Sequence, residues 1–271
     1  MKMKSGVMPL GNPIMEKGRA KKIRILFLLI GLVLAVFMSN GLTQAESRNE
    51  QEARFLRLRE AMVKEQISHP PDFRTPVRDG KVLDAMGTVR RHLFVKPGDR
   101  PRAYGDYPLP IGHGQTISQP YIVALMTEML EVAPHHKVLE VGTGSGYQAA
   151  ILSLLLKDVY TVEIIEPLGR GAAERLKRLG YSNVHVKIDD GYYGWEEHAP
   201  FARVIVTCAA TLVPPPLLRQ LKPGGKMCIP VGGHYAIQYL TMVEKSQEGR
   251  ITMRKELPVR FVPMTAGPDR K

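Results

Sequence analysis

The chain has 271 residues, 44% of them hydrophobic, which is enough for one sizeable core and argues against a disordered chain. Its two cysteines, Cys208 and Cys228, are too few for a disulfide framework or a cysteine-based zinc site. The net charge of +12 suggests a nucleic-acid partner, but half of the excess lies in residues 1–45. The other half is spread along the chain as on a solvated surface, so we expect no nucleic-acid binding.

The N-terminal segment has the order of a targeting signal. A basic cluster at residues 21–24 precedes an apolar run from Ile25 to Met38, and small residues follow. The run is shorter than the ~20 residues of a membrane span. Extended through Leu42 it would form an uncleaved anchor, whereas translation starting at Met38 would omit it. We therefore expect residues 1–45 to be a signal-like or membrane-anchor segment, with any membrane contact confined to residues 25–42.

The part of the chain after this segment, residues 46–271, is predicted to form a single domain that begins with helices. Apolar residues at helical spacing predict a helix over 46–70, and similar patterns predict helices at Lys81–Val89 and Pro120–Leu130. Ser118 or Gln119 is the expected cap of the last of these. The Pro-, Gly- and Tyr-rich stretch Gly98–Ser118 is predicted to be a structured loop.

From Lys137 onward, short apolar runs alternate with helical patterns. The predicted strands are Val138–Val141, Val159–Val162, Val184–Ile188, Val204–Thr207, Met227–Val231, Ala236–Val243 and Ile251–Phe261. The predicted helices between them are Tyr147–Leu156, 168–179 and Leu217–Leu221. Such alternation indicates an α/β fold, Rossmann-like, with a mostly parallel sheet and helices on both faces.

A glycine-rich loop follows the first of these strands. Its spacing is G-x-G-x-G over Gly142–Gly146, and Tyr147 stands where a dinucleotide-binding loop has a third small residue. The Lys-Ser/Thr ending of a phosphate-binding P-loop is also missing. A loop that allows close backbone approach without phosphate-binding cations suits a phosphate-free nucleoside such as S-adenosyl-L-methionine. The alternative is a tight turn between strand and helix that binds no ligand.

Two acidic positions lie at the ends of the next two strands. Glu163 is placed to accept hydrogen bonds from both hydroxyls of a ribose, because ligands bind at the carboxyl ends of parallel strands. Asp190 could bind an adenine amino group, and Asp189 competes for that role. Taken with the glycine loop, these acids favour a nucleoside site over ordinary solvated strand ends.

Several strings resemble one known family, the protein-L-isoaspartate O-methyltransferases, over roughly residues 55–267. The most specific string is Gly114-Gln115-Thr116-Ile117-Ser118-Gln119-Pro120-Tyr121. The others are residues 62–67, 82–86, 91–95, 107–112, 138–148, 206–207 and 259–263. The chain departs from the family pattern at Asp189, where a glycine is usual, and at Ala202, where an aspartate is common.

The resemblance implies a single S-adenosyl-L-methionine-dependent methyltransferase domain, acting as a monomer on isoaspartyl proteins and peptides, without a metal. It implies that Ser118 is the active-site serine, in a loop that closes over cofactor and substrate. The expected cofactor-binding residues are Thr116, Gln119, Glu140, Gly142, Thr143, Gly144, Ser145, Gly146, Glu163 and Asp190. A cytoplasmic location follows from where the cofactor is made, while the signal-like segment leaves export or inner-membrane anchoring open.

The chemistry needs no strong base, because a carboxylate with a pKa near ~4 is ionised at neutral pH and can attack the sulfonium methyl directly. Ser118 would then orient the carboxylate or the loop rather than act as a nucleophile. Two alternatives remain: a methyltransferase of the same fold acting on a small molecule or RNA, and a nucleotide-binding module without catalysis.

Overall fold

The structure is a computed structural model that describes residues 49–233 and 236–267. The predictions for residues 1–45, including the boundary at 45/46, lie outside the described residues. The chain divides into two units, Met1–Arg54 and Phe55–Lys271. Within the first, residues 49–54 are helical, and everything below concerns the second. Among the described residues, no helix combines the length and the apolar character that a membrane crossing requires.

The second unit begins with helices, as the sequence predicts. Residues 55–61 are α-helical and continue into a π-helical turn, Met62–Ser68. Helix α1 spans Gly80–Thr88, and the side chain of Asp79 caps it by accepting the backbone N–H groups of Lys81 and Val82. Helix α1 thus confirms its predicted position to within one residue.

The stretch from Gly98 to Ser118 is more regular than the loop we expected. It contains part of a 3₁₀ helix, Pro97–Arg102, and an antiparallel hairpin of β1 (Leu109–Gly112) and β2 (Gln115–Ile117). The hairpin turns through three residues at positive φ, Gly112, His113 and Gly114. Strands of three or four residues are too short for a period-2 pattern to stand out among so many turn-forming residues, so the loop prediction was wrong here.

The remaining elements form a seven-stranded sheet with helices between its parallel strands. The strands are β3 (Val138–Val141), β4 (Val159–Glu163), β5 (Val184–Ile188), β6 (Phe201–Val206), β7 (Leu221–Val231), β8 (Gln238–Lys245) and β9 (Ile251–Val259). The helices are α2 (Pro120–Met129), α3 (Tyr147–Ser153), α4 (Glu166–Arg178) and α5 (Pro215–Gln220). The strand order is β5-β4-β3-β6-β7-β8-β9, in which β5, β4, β3, β6 and β7 are mutually parallel and β8 pairs antiparallel with both β7 and β9.

Alternating side chains of the strands pack on the two faces of this sheet. Val138 joins one apolar core with residues of α1, α2 and α3, whereas its neighbour Leu139 joins a second core that contains Leu217 of α5. The result is a three-layer arrangement with helices on both faces, which confirms the predicted fold class.

The order of the strands also determines where a ligand can bind. From β3 the chain moves outward through β4 and β5, and it then returns to place β6 on the other side of β3. The connections that leave β3 and β6 therefore go in opposite directions, which opens a crevice at their carboxyl ends. The residues after these two strands are Gly142 and Thr207.

At the other end of the same strands, the residue that follows Ala202 caps a helix. The buried guanidinium of the next residue, Arg203, donates to the backbone carbonyls of Leu130 and Glu131. These carbonyls lie at the end of α2, where helical hydrogen bonds are missing, so Arg203 acts as a C-terminal cap.

Candidate cofactor and substrate site

The glycine loop after β3 requires glycine on conformational grounds. Gly142, Gly144 and Gly146 all have positive φ, at 97°, 53° and 84°. A Cβ on Gly142 would also lie 2.5 Å from Oγ1 of Thr207, which itself donates to the Gly142 carbonyl. The loop is therefore held close to the end of β6, with its backbone open to a ligand.

The carboxylate of Glu163 lies against this loop. Its Oε2 accepts the backbone N–H of Gly144 at 2.7 Å, and its Oε1 accepts the N–H of Ile165 at 2.9 Å. The residue is 5% exposed. The end of β4 thus brings the predicted ribose-binding acid directly beside the glycine loop.

The polar residues within the loop bond mainly to the protein itself. The hydroxyl of Thr143 lies 2.6 Å from that of Thr161, and the carbonyl of Thr143 accepts the N–H of Gly146. The carbonyl of Ser145 accepts Nη1 of Arg175 in α4. These contacts stabilise the loop conformation, while the glycines provide the open surface.

Glu140, on β3 just before the loop, has an unusual environment for an acid. It is fully buried, and neither carboxylate oxygen has a hydrogen-bond partner among the described residues. Burial raises the pKa of this carboxyl to about 8, because the ionised form is poorly solvated there. The next residue, Val141, lines the smaller cavity described below, whereas Glu140, a predicted cofactor-binding residue, does not.

The two acids at the end of β5 point in different directions. Asp189 is partly exposed and pairs with Lys187 at 2.9 Å, and the hydrogen bond from Lys187 lowers the pKa of Asp189. Asp190 is buried, and its Oδ2 accepts the backbone N–H of Gly267 at 2.9 Å. Of the two candidates for adenine recognition, Asp190 is therefore the buried one, held by backbone N–H groups, and Asp189 is the solvent-exposed one.

Ser118 lies between β2 and α2. Of the two predicted caps, Gln119 occupies the N-cap position of α2 and Ser118 does not; no side chain caps this helix, and Pro120 is its first residue. The Ser118 hydroxyl has no hydrogen bond to any described residue, whereas its carbonyl accepts Nη2 of Arg91 at 2.7 Å. The hydroxyl is thus available to a ligand.

Two cavities meet at the carboxyl ends of the strands. The smaller, about 50 Å³, lies at the glycine loop and Glu163. The larger, about 1540 Å³, is a groove whose wall includes Ser118, Gln119 and residues of α2 and β9. Thr116, Thr207 and Val262 line both cavities. A reacting atom at this junction would be reachable from either side.

The family model of protein-L-isoaspartate(D-aspartate) O-methyltransferases matches residues 64–269. The chain belongs to this family. A protein-L-isoaspartate O-methyltransferase 1 of Cupriavidus necator is 62% identical over 186 residues, which cover 69% of this chain and 72% of that protein. One from Opitutus terrae is 47% identical over 88% of this chain and 96% of its own length.

Solved structures agree with these relatives. A protein-L-isoaspartate O-methyltransferase superposes with a TM-score of 0.65 at 29% identity, over 72% of this chain and 63% of that one. A Plasmodium falciparum protein assigned to the same family superposes with a TM-score of 0.61 at 26% identity, covering 70% and 92% of the two chains. It was solved in complex with S-adenosyl-L-homocysteine. The family expected from the sequence is therefore confirmed.

In this isoaspartyl methyltransferase, the site also uses a segment to which the sequence patterns assigned no role. Residues 262–265, after β9, line the smaller cavity. They are tied to the end of β6 by hydrogen bonds from the Ala209 N–H to the Val262 carbonyl and from the Met264 N–H to the Ala209 carbonyl. The only sequence signal was the family string at 259–263, because an irregular segment has no periodicity to detect.

Among the described residues of the methyltransferase, no group of three or more His, Cys, Asp or Glu side chains has the proximity of a metal site. Cys228 is buried, and burial raises the pKa of its thiol, while Cys208 is partly buried next to the glycine loop.

Proposed function

We propose that this chain transfers the methyl group of S-adenosyl-L-methionine to the free carboxylate of L-isoaspartyl residues in damaged proteins and peptides, which initiates their repair to normal aspartyl. One observation supports this assignment beyond family membership. The cavity at the glycine loop and the groove at Ser118 meet at Thr116, Thr207 and Val262. A methyl donor on one side and a peptide carboxylate on the other would meet there.

The residues around the smaller cavity suit the adenosyl part of the cofactor. The described residues of its wall include no Lys or Arg, as expected for a ligand without phosphates. Gly142 and Gly191 allow close packing around the cavity, since a Cβ at these positions would lie only 2.5 Å from Thr207 Oγ1 and from Val141 Cγ1, respectively. Glu163 would accept the ribose hydroxyls and Asp190 the adenine amino group.

The volume of this cavity implies a movement when the cofactor binds. Small-molecule pockets measure ~300–1,000 Å³, whereas this cavity measures about 50 Å³. Residues 262–265 of the irregular segment 262–267 line it on one side, and the N–H of Gly267 donates to the carboxylate of Asp190. We therefore infer that this segment shifts outward to admit the adenosyl group.

The bound cofactor supplies an electrophilic methyl group on a sulfonium sulfur. A carboxylate oxygen of the substrate forms a bond to the methyl carbon while the carbon–sulfur bond breaks, giving a methyl ester and S-adenosyl-L-homocysteine. The protein positions the two reactants and replaces water around charges that neutralise each other. The free hydroxyl of Ser118 would orient the substrate carboxylate by donating a hydrogen bond to it.

The groove is large enough for an extended peptide rather than a small molecule alone. Together with family membership, this does not favour the alternative of a small-molecule or RNA methyltransferase. We further propose a monomer that does not bind nucleic acid and acts in the cytoplasm, with membrane contact only through residues 25–42. N-terminal sequencing of protein from fractionated cells tests the location.

The experiment that tests the reaction uses two peptides that differ only at one residue, isoaspartyl in one and normal aspartyl in the other. Incubated with methyl-labelled S-adenosyl-L-methionine, the isoaspartyl peptide should acquire label that alkali releases, as expected of an ester. Equal labelling of both peptides, or label that survives alkali, would contradict the proposal.

A further inference from the structure

Arg91 is a buried cation with no function in the mechanism above. It belongs to a single 3₁₀ turn, Arg91–Leu93, and its exposed fraction is 0%. Among the described residues no carboxylate lies within salt-bridge distance of its guanidinium, and Nη1 has no hydrogen-bond partner. Burial lowers the pKa of Arg91 to about 10, so the side chain remains charged at neutral pH.

The contacts of this guanidinium connect three parts of the chain. Nε donates to the carbonyl of Ala103 at 2.7 Å, and Nη2 donates to the carbonyl of Ser118 at 2.7 Å. The guanidinium carbon lies 4.8 Å from the ring centroid of Tyr147, the first residue of α3 after the glycine loop. Arg91 thus contacts both the backbone at Ser118 and the helix α3, which begins directly after the glycine loop.

Burying a charged side chain without a carboxylate partner carries a desolvation cost that an apolar side chain would avoid. Apolar residues of similar volume often replace buried ions at no loss of stability, whereas an arginine offers several donors in a rigid fork. The fork here fixes the peptide plane between Ser118 and Gln119. Since the Ser118 hydroxyl has no hydrogen bond of its own to a described residue, only the backbone determines its place.

We propose that Arg91 is a positioning residue for methyl transfer: it holds the Ser118 backbone in register with the start of α3, so that the serine hydroxyl faces the junction of the two cavities. The kinetic effect that we expect from this role rests on the proposed function. The contact itself does not depend on which reaction the site performs.

The test compares Arg91→Lys with Arg203→Lys. Lysine keeps the charge but loses the fork, and a shift of the serine by an ångström would reduce kcat/KM for an isoaspartyl peptide about 100-fold. The affinity for S-adenosyl-L-homocysteine should stay close to the wild-type value, because Arg91 does not line the cofactor cavity. Amide hydrogen exchange in residues 117–121 should accelerate.

Arg203 is the matched control, since its guanidinium also donates to backbone carbonyls but at the amino ends of the parallel strands. Arg203→Lys should lower thermal stability and leave kcat/KM and exchange in residues 117–121 close to wild type. A folded Arg91→Lys protein with wild-type kcat/KM and exchange would overturn the proposal. So would an equal loss of cofactor affinity and kcat/KM, which indicates a general structural defect.

Should Arg91→Lys fail to fold, Arg91→Gln is measured in the same way. If neither folds while Arg203→Lys does, Arg91 is a structural residue and the proposal fails. An inactive wild-type protein would refute the proposed function instead, and the exchange measurement would still decide whether Arg91 holds the Ser118 loop.

Discussion

Glu140 and Glu163 lie on neighbouring strands, yet the two carboxyl groups differ in the hydrogen-bond donors that surround them. Glu163 accepts two backbone N–H groups beside the glycine loop, whereas Glu140 has no hydrogen-bond partner among the described residues and is fully buried. The strand on which a carboxylate lies is therefore a poor guide to its role. Its role depends on the donors that the fold brings to it.

Replacing Glu163 and Ser118 should separate cofactor binding from substrate orientation. Glu163→Gln removes a charged acceptor, so we expect affinity for S-adenosyl-L-homocysteine to fall by about 10- to 100-fold. Ser118→Ala should leave this affinity unchanged and reduce kcat/KM for the isoaspartyl peptide. Calorimetric titration and steady-state kinetics measure the two effects. Glu166→Gln, at an exposed site on α4, is the control, and a similar loss there would contradict the assignment.

The pKa of Glu140 predicts a pH dependence of stability. Its ordinary pKa of 4.5 is raised to about 8 in the folded protein, so between these values the folded state binds more protons than the unfolded state. Stability should therefore fall as pH rises from about 4.5 to 8, by an amount on the order of a few kcal/mol.

Urea unfolding of the wild type and Glu140→Gln at several pH values between 5 and 8 tests this. The variant should lose most of the decline, because a glutamine does not ionise. Equal slopes in both proteins would show that other groups cause the pH dependence.

At the scale of elements, the site depends on short connections after strands. The hairpin of β1 and β2 precedes the Ser118 loop, and the glycine loop connects β3 to α3. Both use residues at positive φ, which only turn-forming residues adopt without strain. Backbone geometry in these connections, more than any single side chain, shapes the space for a ligand.

Gly142→Ala should therefore affect both stability and binding. At φ of 97°, with a new Cβ only 2.5 Å from Thr207 Oγ1, we expect destabilisation of at least ~1–3 kcal/mol and weaker cofactor binding. Gly171→Ala in α4 is the control, since its Cβ would meet nothing within 4 Å. It should stabilise the protein by about 0.5–1 kcal/mol. Similar effects of the two substitutions on the urea midpoint would contradict the argument.

At the scale of the whole molecule, one site gathers residues from most of the chain. The cavities at the strand ends are lined by residues from Asp72 to Thr265. A ligand that joins so many segments should stabilise the folded state as a unit, because binding to the folded form alone shifts the unfolding equilibrium.

S-adenosyl-L-homocysteine at 100 times its Kd should stabilise the protein by about 2.7 kcal/mol, which raises Tm by roughly 5–10 °C for a domain of this size. ATP at the same concentration should raise it little, because the described part of the cavity wall contains no cation for phosphates. Differential scanning fluorimetry measures both. A comparable rise with ATP would indicate a nucleotide-binding module instead.

Much of this fold was predictable because its parts have local signals. The core strands have buried apolar runs, and β3, β5 and α1 begin and end within one residue of their predicted positions. The β6 prediction began three residues late, at Val204 rather than Phe201, because Ala202 and Arg203 interrupt the apolar run. The arginine is nevertheless buried, since it caps the end of α2.

By itself, the sequence determined the family, most strands and helices from Val138 onward, and the glycine loop with an acid at the end of the next strand, because each is encoded by residues close together in the chain. Only the tertiary structure decided that Asp190 accepts the N–H of Gly267, that residues 262–265 line the smaller cavity, and that Arg91 donates to the Ser118 carbonyl. Those relations join residues that are far apart in sequence. Distances and burial between them arise only once the sheet and its helices have packed.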